Sequence, residues 1–357
     1  DTDTIHIVPY EYATESLTEG SITTDINTTI NVVFDNPAKY SLEQLLDGSD
    51  KLDNYWNQLE IVQVGVRQID NGLFVGCFNL TDYKKENIKR ISGIDNIEFK
   101  EFSEDDVWDI GDENSEPDSE NEIMGLSSTV ELKYGNTLRN TVTEAGSTIG
   151  AIATYGSRKF VVTTGHNEKN GNIVTVMGPS NDTINTRVGK VIWNSFTNAT
   201  KDTQGYVTND ASIIEIDSNN VVQTSYTDDG VEITAPAKPV EGKTCKIYSS
   251  SKLHRPTVAI RGTNEKVKWF DKNCTDDYNK PYKNMILLDN DIYESKQPTN
   301  GDSGAPLCMY YFDSDGNVST VNLCGIYKGR HEDSNGNYQF YATRWDSITS
   351  EYPMSLY

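Results

Sequence analysis

Gly301-Asp302-Ser303-Gly304-Ala305-Pro306-Leu307 sets a serine inside a tight turn and leads directly into an apolar strand, APLCMYYF. Gly, Asp, Ser and Pro are also what ordinary turns are made of. A given tetrapeptide such as GDSG turns up by chance in a chain of this length only roughly once in several hundred cases, and the Pro-Leu that follows narrows it further. The context suits an exposed hydroxyl acting as an acyl-transfer nucleophile. The glycines beside it let the backbone N–H groups of Gly301 and Ser303 converge on a developing oxyanion without interference from a Cβ.

A serine hydroxyl is a weak nucleophile at neutral pH, so a neutral imidazole has to take its proton and a third group has to fix the tautomer of that imidazole. Histidine occurs only at His6, His166, His254 and His331. His166 closes the strand-like run FVVTTGH, where Gly165 lets the chain turn and set the ring at the rim of a barrel. The orienting carboxylate is assigned to Asp210, which directly precedes the β-branched run ASIIEI and is placed to be buried against the imidazole. With 54 acidic residues in the chain, Asp202 and Asp217 also qualify on spacing, and Asp210 is preferred on local context. The order His, Asp, Ser is that of one triad architecture among several. Against an α/β-hydrolase elbow stand Ala305, which breaks G-x-S-x-G, and the lack of a strand before Gly301 within QPTN.

Outward from these segments, residues 125–357 alternate short strands with Gly, Asn, Asp and Pro: KFVVTT, NIVTVMG, RVGKVIW, ASIIEI, GVEITA, TVAIRG, KNMILLDN and VNLCGIYKG. Such spacing predicts a mainly β domain built as barrels or a sandwich. Residues 104–122 hold ten acidic residues and no Lys or Arg, which predicts an exposed linker at 104–124. Before it, helix-like SLEQLLDGSDKLDNYWNQL, strand-like IVQVGV and LFVGCFN, helical KKENIKRI and extended NIEFKEF predict a small α+β domain over 1–103. DSITSEYPMSLY predicts a short last helix capped by Asp346 or Ser347 and limited by Pro353.

The chain of 357 residues carries a net charge of −23. Such acidity with no basic stripe argues against a nucleic-acid partner. No apolar run approaches the roughly 18 residues of a membrane span. The start at Asp1 is expected to reflect removal of an N-terminal segment, and hence a secreted protein. Five scattered cysteines and four histidines give no metal-binding spacing, and no cofactor is required.

TTGHN, NDASII and GDSGAPL resemble, in order, the TAGHC, Asp-x-Ala and GDSGGPL segments of the chymotrypsin-like serine proteases, and the chain is closest in character to the bacterial streptogrisin and alpha-lytic branch. The resemblance covers residues 127–357 and implies two packed six-stranded antiparallel barrels. It further implies a secreted serine endopeptidase made as a zymogen, a monomer acting on protein or peptide substrates. Residues 1–103 then act as a pro-region, an intramolecular inhibitor or folding chaperone. By the same resemblance Gln297 lies at the base of the primary specificity pocket, and Lys328, Gly329 and Arg330 lie on the wall beside substrate, two cations that suit an acidic side chain. Asp302 is expected to be held by Lys246, and a disulfide is expected between Cys245 and Cys308, with Cys308–Cys324 as its rival. Asn167 and Ala305 depart from the family pattern without removing a catalytic group. The competing reading is a protease fold retained for binding, or a precursor permanently capped by its N-terminal half.

Overall fold

The structure, a computed structural model, describes residues 4–7, 20–23, 29–34, 38–103, 106–109, 129–142, 146–176, 186–198, 206–250, 255–268, 281–289, 297–298, 302–335 and 337–357. The chain is mainly β.

The first elements are three short strands, β1 (Thr4–Ile7), β2 (Gly20–Thr23) and β3 (Thr29–Phe34), which form a separate small sheet. The helix-like stretch that follows splits into α1 (Leu42–Lys51) and α2 (Trp56–Leu59). α1 starts with a capping box in which Ser41 accepts from the Gln44 N–H and the Gln44 side chain accepts from the Ser41 N–H, satisfying two donors at the helix start. β4 (Ile61–Arg67) and β5 (Gly72–Phe78) form a hairpin. α3 (Asp82–Ser92) crosses over and β6 (Ile97–Phe102) returns parallel to β5. α3 begins at the Thr81 cap and ends at Gly93, whose φ of 73° is open to glycine at little steric cost.

The segment expected as an exposed linker is bound in its first part. β7 (Val107–Asp109) pairs antiparallel with Arg330–Glu332, because the buried Asp106 just before it accepts from the His331 ring and the Ser334 N–H.

The next strands are β8 (Val130–Tyr134), β9 (Thr137–Asn140), β10 (Gly146–Thr148), β11 (Ala151–Tyr155), β12 (Arg158–Thr163), β13 (Ile173–Val176) and β14 (Thr186–Asn194). A helical turn, α4 (Ser195–Asn198), leads to β15 (Ser212–Ile216), β16 (Val221–Thr227) and β17 (Ala235–Pro236). β9 to β15 build a curled antiparallel sheet in the order β10-β9-β13-β14-β15-β12-β11, the edge of β11 is covered by β24 (Ser355–Leu356), and β8 and β16 pair in parallel as a separate two-stranded sheet. Val161 faces Ile214 and Val162 faces Ile213 across β12 and β15, all four buried. Each fully buried Val or Ile of this kind contributes about 1.5–3 kcal/mol over leaving it in water.

The remaining strands are β18 (Thr244–Ile247), β19 (Thr257–Lys268), β20 (Pro281–Leu288), β21 (Pro306–Phe312), β22 (Val318–Glu332) and β23 (Tyr338–Arg344). They run in the order β18-β21-β22-β23-β20-β19, and β19 pairs back onto β18, so six antiparallel strands close into a barrel. The double-barrel class therefore holds, with the second unit a closed ring and the first an open, curled sheet.

β4 hydrogen-bonds to β19 through Val64↔Lys266 and Gln63↔Val267, which makes the N-terminal hairpin an outward extension of the second barrel. The last helix, α5 (Trp345–Glu351), starts earlier than a cap at Asp346 or Ser347 would place it. Its N-cap is Arg344, without a side-chain cap, and the Arg344 guanidinium instead pairs with Asp346 in the first turn.

The expected Cys245–Cys308 disulfide is corrected. Cys245 pairs with Met309 and Cys308 with Lys246, so neighbouring positions of the pleat send the two thiols to opposite faces. Cys245 lies in the core of the second barrel and Cys308 in that of the first sheet. Cys77, Cys245, Cys308 and Cys324 are all free and buried, which also removes the rival Cys308–Cys324 pairing.

Candidate active site

His166 stands at the end of the β12 run, where Gly165 is packed so closely that a Cβ would lie 2.8 Å from Ser195 Oγ and 2.9 Å from Ala211 O. Only a glycine fits there without displacing its neighbours. Asp210 immediately precedes β15 and is fully buried. Its Oδ1 accepts from the backbone N–H groups of Gly165 at 2.8 Å and His166 at 3.0 Å, and its Oδ2 is 2.8 Å from His166 Nδ1. An ionised carboxylate only accepts, so in a neutral imidazole the proton sits on Nδ1 and Nε2 keeps its lone pair. One carboxylate thus fixes both the turn that carries the histidine and the tautomer of its ring. Asn194 Nδ2 stiffens the turn from behind, donating to Gly165 O at 2.7 Å and Ser212 Oγ at 2.9 Å.

Ser303 lies in the turn before β21 and is 2% exposed. Gly304 has φ of +95°, and a Cβ on it would meet Thr163 Oγ1 at 2.3 Å and Thr148 O at 2.4 Å, so this turn needs glycine on two counts. The turn is bonded to both sheets: Thr148 N–H donates to Ser303 O at 2.9 Å and Gly304 N–H to Tyr327 O at 2.8 Å. The contact with Thr163 and Thr148 brings the serine turn against the end of β12, the strand that leads to His166. The Ser303 hydroxyl donates to Lys328 O at 3.0 Å.

Lys328 was expected on the wall beside substrate, and its position is the main correction in the site. It is fully buried, and its Nζ donates to Asp210 Oδ2 at 2.5 Å and sits 4.1 Å from the centre of the Tyr282 ring. The cause is local: Tyr327 pairs with Ala342 and Gly329 with Tyr341, so Lys328 is the extra residue of a β-bulge, a device that re-aims a side chain. Burial pushes the Asp210 carboxyl up, but the nearby His166 and Lys328 outweigh it and hold it below the usual carboxylate range.

Arg330 Nη1 donates to Gln297 Oε1 at 3.1 Å, and its guanidinium lies 4.9 Å from the Tyr338 ring centre. Gln297 and Arg330 are therefore together, with Gly329 between Arg330 and the bulge. Asp302 Oδ1 accepts from Ser250 N and Oγ, both at 3.1 Å. Lys246, expected to hold Asp302, lies over the Tyr248 ring at 4.7 Å instead, because the β18 register directs it to the side of the first sheet. Gly301 lies outside the described residues. Among the described residues no group of three or more His, Cys, Asp or Glu is gathered to hold a metal, and no helix is long and apolar enough to cross a membrane.

One buried group escaped the sequence reading and the inward course of another was not foreseen. Glu168, two residues beyond His166, is 2% exposed and accepts from Asn140 Nδ2 at 2.8 Å and Ser147 Oγ at 3.4 Å. Lys328 gave one usable signal, a lone cation in the otherwise apolar run LCGIYKG.

No family model and no curated protein matches the sequence. Among solved structures the chain is similar to Nocardiopsis protease (15% identity, TM-score 0.45, covering 64% of this chain and 99% of that one). It is also similar to Thermobifida fusca Protease A (16%, 0.44, 64% and 98%). A third similar structure is a glutamic acid specific serine protease (18%, 0.44, 63% and 100%).

Proposed function

We propose that the chain is a serine endopeptidase. Ser303 is the nucleophile, His166 the general base and then acid, and Asp210 the carboxylate that orients the ring. The Ser303 proton passes to His166 Nε2 as Oγ attacks the peptide carbonyl. The oxyanion is met by the N–H groups of Gly301 and Ser303, and the leaving amine takes the proton from His166. Water then hydrolyses the acyl-enzyme by the same route reversed. The observation that carries the reading is the grip of Asp210 on both the backbone and the Nδ1 of His166. Such a grip serves a base that must present one nitrogen, and an ordinary surface histidine has no need of it.

The same reading makes the protein a secreted zymogen. β7 runs antiparallel along Arg330–Glu332, heading towards Lys328, whose carbonyl holds the Ser303 hydroxyl. A chain segment on this edge competes with a substrate strand for it. The preference for acidic side chains now rests on Arg330 alone, since the Lys328 ammonium is engaged with Asp210.

The test is hydrolysis of an unfolded protein before and after the chain is cut within residues 110–128, with Ser303→Ala as control. Activity is expected to rise on cutting and to vanish in the variant. Equal activity in cut and uncut forms rejects the zymogen, and hydrolysis that survives Ser303→Ala rejects the peptidase.

A further inference from the structure

A lysine ammonium buried against the carboxylate of a triad changes what that carboxylate can do for its histidine. Asp210 Oδ2 receives two donors, His166 Nδ1 at 2.8 Å and Lys328 Nζ at 2.5 Å. Lys328 is fully buried, so solvent does not screen it. The Tyr282 ring face beneath it, 4.1 Å away, favours the charged form. The bulge between Tyr327 and Gly329 directs the side chain inward and also leaves the Lys328 carbonyl on the Ser303 hydroxyl. One residue therefore joins the nucleophile to the orienting carboxylate.

We propose that Lys328 is a positioning residue of the Ser303–His166–Asp210 site, one that shares Asp210 with His166 and lets the base work at lower pH than an unshared carboxylate would permit. The inference rests on the serine-peptidase reading. A lone carboxylate stabilises the imidazolium and so keeps the base protonated as pH falls. A fixed cation on the same oxygen opposes that charge and releases the proton sooner. The ring meets Asp210 before β15, and behind that carboxylate stands Lys328 on β22, with the Tyr282 ring on β20 against its ammonium and the Ser303 hydroxyl on its carbonyl. The Asp210 N–H donates to Thr343 Oγ1 on β23, and Glu168 in the histidine turn is engaged by Asn140 and Ser147. Among the described residues Lys328 is the cation seen on the carboxylate.

The experiment measures, on protein cut within residues 110–128, the rate of Ser303 modification by a fluorophosphonate as a function of pH. Lys328→Met removes the charge at similar length. Lys328→Gln removes the charge but keeps an N–H donor, and serves also if the Met variant does not fold. Lys328→Arg keeps the charge. The acid limb is expected to move up by about one pH unit in the Met and Gln variants and to stay in place in the Arg variant. An unmoved limb in Lys328→Gln overturns the inference while leaving the peptidase reading intact. Failure of the parent protein to react at Ser303 at any pH overturns the peptidase reading itself, and the inference with it.

Discussion

The guanidinium of Arg67 in β4 is buried against the carboxylate of Glu265 in β19, an ion pair that crosses from the N-terminal unit into the second barrel. Gln63 Nε2 adds a hydrogen bond to Glu265 at 2.7 Å, and Tyr341 OH donates to Gln63 at 3.0 Å. Space for the pair comes from two glycines: a Cβ on Gly65 or on Gly262 would lie 2.2 Å from a Glu265 oxygen. The N-terminal unit therefore shares a polar core with the barrel.

Removing one partner strands the other. Arg67→Met is expected to lower stability by about 3–5 kcal/mol, because Glu265 is left charged and buried. The double variant Arg67→Met, Glu265→Gln should recover much of that. Urea unfolding measures both, and a loss under about 1 kcal/mol for the single variant would mean that the interface opens freely to water.

Because β4 extends the barrel sheet, cutting the linker should not release the N-terminal unit. Lys266 reinforces the joint, bonded to Asp50 and Asp53 at 2.7 Å each. After cleavage within residues 110–128 the two pieces are expected to elute together in size-exclusion chromatography under native conditions and to separate in urea. Separation under native conditions would contradict the shared core.

Glu168 gives the fold a pH signature. Burial pushes its carboxyl up to about 8 from 4.5, outweighing the hydrogen bonds from Asn140 and Ser147. The folded protein then keeps a proton that the unfolded chain releases above 4.5, so this stabilisation is full below that pH and is lost as pH rises towards 8. Glu168→Gln cannot ionise, and its amide oxygen can accept from Asn140 while its NH2 donates to the Ser147 hydroxyl. Its stability relative to the parent should improve as pH goes from about 5 to about 8, as followed by urea midpoints. A difference that stays constant with pH would contradict the assignment.

How far the sequence could be read followed the range of the interactions involved. GDSGAPL and TTGHN were legible because tight turns constrain residue type locally: Gly304 and Gly165 stand where a Cβ would collide. Strand runs such as FVVTT and ASIIEI were legible through their β-branched residues. The cysteine pairing failed because it depends on the register of β18 against β21, and one residue of phase sends a side chain to the other face. Lys328 was misplaced because a bulge is a property of two paired strands. The β4–β19 joint and the Arg67–Glu265 pair were invisible because the partners of that pair stand 198 positions apart in the chain.

The central claim is that His166 activates Ser303. Its most direct measurement is covalent labelling of the linker-cut protein with a fluorophosphonate, followed by peptide mass spectrometry, in the parent and in His166→Ala. The account predicts one labelled peptide, carrying the adduct on Ser303, and labelling at least a hundredfold slower (~2.7 kcal/mol of lost base assistance) in the variant. Labelling at another residue, or at Ser303 with undiminished rate in His166→Ala, would contradict it.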